Sequence, residues 1–119
     1  MSARVDFIDD AAIEQGATFS KVVTYRDSAG DLVDLTSYTL RMTIRNKVGG
    51  TVIATSTGGT PTITLTNGGV AGTITITITG ANTTTLNFVR AVYDLEIVLG
   101  AVITRLMRGI VELDKEITT

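Results

Sequence analysis

The sequence predicts an all-β chain folded as a single antiparallel β-sandwich, and three observations carry that expectation. Residues 73–79 read Thr-Ile-Thr-Ile-Thr-Ile-Thr. Both residue types are β-branched and suit a pleated surface, and strict alternation sets isoleucine on one face and hydroxyl on the other. Threonine fills 22 of 119 positions while proline occurs once, at Pro61. Short alternating runs are separated throughout by clusters of Gly, Asn, Asp and Ser, the spacing of strands joined by tight turns.

Residues 1–16 read as an N-terminal arm, extended around Val5–Ile8 and irregular afterwards, with 17–119 as the sandwich domain. Residues 17–25 form the first long strand. Phe19, Val23 and Tyr25 share a face that Lys21 interrupts. Asp27 to Asp31 is a turn, followed by a short return segment, Leu32–Leu35. Residues 38–46 alternate cleanly, with Tyr38, Leu40, Met42 and Ile44 opposite Thr39, Arg41, Thr43 and Arg45. Val48-Gly49-Gly50 turns into a strand at Thr51–Ala54, and Thr57–Thr60 is a flexible loop. The next hairpin joins 62–66 to 72–79 through Asn67-Gly68-Gly69. Its second strand carries no charge from Val70 to Leu86. Exposed at an edge it would invite aggregation, so it is expected either at the centre of a sheet or covered on its threonine face.

At most one short helical turn is expected, near 82–87, with Asn82 or Thr83 as its cap. Residues 90–99 form a long strand with Tyr93, Leu95, Ile97 and Leu99 on one face. In the last strand the apolar phase slips across Arg108-Gly109, which predicts a β-bulge there. The total is seven or eight strands, immunoglobulin-like or jelly-roll-like in kind. The Cys and Trp of antibody domains are missing.

Composition bounds function. The length suits one domain. The formal charge of −2 gives no global basic field for a nucleic-acid backbone. No run approaches the ~20 apolar residues of a membrane span, and residues 1–30 lack a signal-peptide core. With no histidine and no cysteine, the commonest general base, metal ligand and thiol nucleophile are absent, and no cofactor is expected. Asp27, Asp31 and Asp34 form a weak candidate Ca²⁺ set, although turns favour Asp in any case. Asp94 and Glu96 share a strand face, and Arg41 and Arg45 also sit on a polar face, which suggests a cross-strand charge ladder rather than a catalytic pair. Aromatic residues make up 5% of the chain, which gives little platform for stacking a sugar.

The ordered segments Ile13-Glu14-Gln15-Gly16-Ala17-Thr18-Phe19, Val33-Asp34-Leu35-Thr36-Ser37-Tyr38, Arg41-Met42-Thr43-Ile44-Arg45, Tyr93-Asp94-Leu95-Glu96 and Arg105-Leu106-Met107-Arg108-Gly109 resemble small structural proteins of tailed bacteriophages and prophages. The likeness is to tail and baseplate β-sandwich domains, including the N-terminal domain of baseplate upper proteins. The resemblance implies a non-enzymatic virion protein, made in the host cytoplasm. It would be a tail or baseplate accessory or adaptor subunit that self-assembles into a homo-oligomer and contacts other virion proteins. A capsid decoration protein is the neighbouring alternative, and a stand-alone carbohydrate- or receptor-binding module the more distant one. Thr73, Thr75, Thr77 and Thr79 are the expected interaction residues.

Overall fold

The structure, a computed structural model, describes residues 3–57 and 62–115. Most of the Thr57–Thr60 loop, and Pro61, therefore lie outside the described residues. The fold is all-β. The strands are β1 (Ala3–Arg4), β2 (Ile13–Glu14), β3 (Phe19–Thr24), β4 (Thr39–Arg45), β5 (Val52–Thr55), β6 (Thr64–Asn67), β7 (Thr73–Ile78), β8 (Arg90–Leu99) and β9 (Val102–Asp114). The larger sheet runs β1-β9-β8-β4-β5, with β2 pairing further along β9, and the smaller runs β3-β7-β6.

The Thr/Ile run lies at the centre of the smaller sheet, between β3 and β6. Both its edges are paired, so its β-propensity has no free template to act on. Ile74, Ile76 and Ile78 are each fully buried. In the larger sheet, Ala91, Tyr93, Leu95 and Ile97 of β8 and Met42 and Ile44 of β4 face the same core. One apolar cluster thus takes side chains from both sheets. Lys21 points to the inner side of edge strand β3, opposite Ile76, with its ammonium 5.8 Å from the Phe19 ring centre. An inward charge on an edge strand discourages further strand addition.

Two expectations are corrected at the chain ends. The pairing is not purely antiparallel, because β1 and β2 run parallel to β9. Residues 3–14 advance in the same direction as β9 and follow its outer edge. Val5 N–H donates to Arg108 O, Phe7 N–H to Ile110 O and Gln15 N–H to Asp114 O, at 2.8–2.9 Å. Phe7 and Ile13 are buried in the shared core, where the Phe7 ring meets Phe19 edge-on and lies 5.1 Å from Tyr93. The arm is therefore part of the sheet.

The second correction concerns the bulge. The register of β9 against β8 shifts between Leu95 and Glu96, which oppose Met107 and Arg105. Leu106 is the extra residue, and Leu106 and Met107 are both buried. The slip was expected at Arg108-Gly109 because a glycine usually marks a bulge. Gly109 serves a different purpose: a Cβ there would lie 2.0 Å from Val5 O and 2.7 Å from Asp6 Oδ1. Only a residue without a side chain lets the arm pass this close.

The helical turn spans Gly80–Thr83, earlier than expected, and Thr79 precedes it without a side-chain cap. Thr83 does not cap it. Its buried hydroxyl donates to Ala17 O at 2.8 Å and accepts from Gly16 N–H at 3.0 Å, tying the turn to the start of β3. Asn67, expected only to turn a hairpin, also donates to Leu35 O and Tyr38 O, stitching the entry of β4 to β6.

Gly109→Ala is expected to cost about 2 kcal/mol, because the methyl has backbone rather than a flexible side chain to displace. Urea unfolding of the two proteins measures this. A loss under about 0.5 kcal/mol would mean that the arm does not press on Gly109.

Candidate functional site

The outward face of the larger sheet carries the most concentrated chemistry among the described residues. It is built in rows across β4, β8 and β9. Arg41 opposes Glu96, which opposes Arg105; Thr43 opposes Asp94, which opposes Arg108; Arg45 opposes Val92, which opposes Ile110. The Leu106 bulge makes this possible. Arg105 and Arg108 are three residues apart, and strict alternation would send them to opposite faces. The inserted residue brings both outward.

The anticipated ladder is present in part. Arg41 Nε donates to Glu96 Oε1 at 2.6 Å, and Arg105 Nε lies 3.7 Å from Asp94 Oδ2. Arg45 instead donates to Gly50 O at 2.8 Å, closing its own hairpin. No carboxylate among the described residues forms an ion pair with Arg108. Beside the Arg41–Glu96 pair lies a depression of about 520 Å³, to which Arg4, Arg45, Arg105 and Arg108 bring positive charge and Val48, Val92 and Ile110 apolar surface. Asp94 sits within it, and Thr43, Gly49, Tyr93 and Gly109 complete the lining.

Two ionisable groups beside the depression hold the arm against β9. Tyr93 is buried, and its hydroxyl donates to Val5 O. Burial, with the nearby charge of Asp6, pushes its pKa well up, so it stays a neutral donor. The Asp6 carboxyl is held below the ordinary range, first by the Ile110 N–H that it accepts at 2.9 Å and then by Arg4. Guanidinium groups offer planar N–H donors suited to carboxylate or phosphate oxygens.

The other candidates lie elsewhere. Asp27 Oδ1 accepts the N–H groups of Ala29 and Asp31, and Asp34 Oδ1 accepts the N–H and hydroxyl of Thr36. Thr36 holds the Asp34 pKa down. Among the described residues no group of three acidic, His or Cys side chains is placed to hold a metal ion. Thr73, Thr75 and Thr77 do share the outer face of the smaller sheet; Thr79 lies beyond the strand, at the helical turn. The arginine face was missed in the sequence because Arg4, Arg105 and Arg108 meet only through the parallel arm and the displaced bulge. The apolar phase slip near Leu106 was its one visible trace.

No protein family matches the chain, and no curated protein matches it.

Asp6 has a lowered folded-state pKa, so its contribution to stability is present above its ordinary value, near 4, and is lost as pH falls through the folded value. Asp6→Asn keeps an acceptor for Ile110 N–H but removes the titration. Urea midpoints measured from pH 7 to pH 2 should fall less steeply below pH ~4 in the variant than in the parent. Superimposable acid limbs would rule out Asp6 as a contributor.

Proposed function

We propose that this chain is a non-enzymatic structural protein of a tailed-bacteriophage virion, a tail or baseplate accessory or adaptor subunit acting by self-assembly and protein–protein contact. In this reading the two sheets form a β-sandwich whose outer faces meet neighbouring subunits. The order of strand and turn segments that resembles tail and baseplate domains supports it.

The observation that carries the proposal is the outer face of the smaller sheet. Its rows are Ser20-Thr77-Thr64, Val22-Thr75-Thr66 and Thr24-Thr73. Every position is Ser, Thr or Val, none is charged, and Val22 is 63% exposed. Free surfaces of small domains are about one-quarter to one-third charged, which keeps them apart. An uncharged face of Ser, Thr and Val has short side chains that lose little entropy on contact and can stay wet or pack. Its centre, Thr75, is the natural contact point.

The test is made on particles from cells that encode the chain. Mass spectrometry should find it in purified virions, and Thr75→Lys with Thr77→Lys should cut its incorporation at least tenfold. The melting temperature of the isolated variant should shift by no more than a few degrees, because both side chains point outward. A chain absent from virions, or incorporation unchanged by two lysines, would defeat the proposal.

A further inference from the structure

We infer that the arginine depression of the larger sheet receives the acidic turn of a second copy of this chain, the segment that presents Asp10 and Glu14. The inference concerns self-association in solution and does not depend on the location of the chain in a virion.

Charge separation is the first argument. Arg4, Arg41, Arg45, Arg105 and Arg108 lie on or beside one face against three carboxylates, Asp6, Asp94 and Glu96, which pair with Arg4, Arg105 and Arg41, on a chain of formal charge −2. The remaining surface is therefore markedly acidic, and an identical copy is a complementary partner. The second argument is composition. Arginines mixed with exposed Val48 and half-buried Val92 and Ile110 match the make-up of protein contacts, where arginine and apolar side chains anchor together. Asp94 inside the depression repels a dense polyanion, whereas a protein segment can offer N–H donors as well as carboxylates.

The choice of acidic segment follows from hydrogen bonding. Asp27 and Asp34 already bind local N–H groups. Asp10 and Glu14 are exposed, make no ion pair among the described residues, and line one small depression of about 150 Å³, in which Lys21 is the single cation. They are held on the same arm that carries Arg4, so acidic and basic partners are both fixed to the β9 edge. Such a contact can close a dimer or propagate head to tail.

Charge reversal in two proteins tests this. One carries Arg45→Glu and Arg108→Glu; the other carries Asp10→Lys and Glu14→Lys. Asp9 is left alone because its φ of 53° suits Asp better than Lys. Melting curves verify that each is folded, and Arg108→Ala serves as a milder second variant. Sedimentation at low salt should show the parent self-associating, with association falling as salt rises. Each reversed protein alone should associate at least tenfold more weakly, Arg108→Ala should be weakened in the same direction, and an equimolar mixture of the two reversed proteins should associate nearly as well as the parent. A parent that is monomeric at low salt, reversed proteins that associate like the parent, or a mixture no better than its components would each overturn the inference. A monomeric parent that instead retains inorganic phosphate would assign the depression to a small anion and likewise overturn the inference.

Discussion

The passage of the N-terminal arm along β9 is the contact on which most of this structure depends. Without it, the largest sheet would end in a thirteen-residue strand with one edge bare of partners, the arrangement most open to pairing with other chains. With it, main-chain donors of Val5, Phe7 and Gln15 find acceptors, and Phe7 and Ile13 complete the core. Three features make the approach close enough: a glycine at 109, a tyrosine hydroxyl reaching Val5 O, and a carboxylate at Asp6 that takes Ile110 N–H. The polar contacts occur where a hydrogen bond left unmade would be costly, since Tyr93 is buried and the strand edge would otherwise carry unpaired groups.

The two outer faces follow from this arrangement and differ in chemistry. The larger sheet has an odd insertion at Leu106 that turns Arg105 and Arg108 to the same side, and the arm delivers Arg4 beside them. The smaller sheet has no insertion in its central strand, so its threonines stay in register and its outer surface stays uncharged. One face suits contact by charge and the other by shape. In the proposed role, such a division would help a subunit tell different neighbours apart, because a wrong pairing of the faces leaves arginines without counter-charges.

Local pattern revealed the strands and concealed their long-range partners. β4, β7 and β8 were legible because each alternates without interruption and is bounded by turn residues. β7 could be assigned to a sheet centre or a covered edge from its lack of charge alone, and it proved central. The parallel course of the arm was not legible. Val5, Phe7 and Ile13 do not make a regular alternation, and their partners lie about a hundred residues away. The bulge was placed a few residues late because a glycine is the usual mark of one, while Gly109 answers to a steric demand from Val5 that sequence spacing does not record. Once the arm and the bulge were misplaced, the arginine face could not be assembled; only a ladder of Asp94 and Glu96 with Arg41 and Arg45 was legible, and Arg45 proved to close its own hairpin.

Amide hydrogen exchange at the arm is the most direct measurement of the central claim. If the arm is an integral strand, the N–H groups of Val5 and Phe7 exchange as slowly as those at the centre of β8, since both require the sheet to open. Exchange at Val5 and Phe7 near the rate of an unstructured peptide, with β8 still protected, would show that the arm is not part of the fold and would remove the basis of both the Gly109 contact and the place of Arg4 on the arginine face.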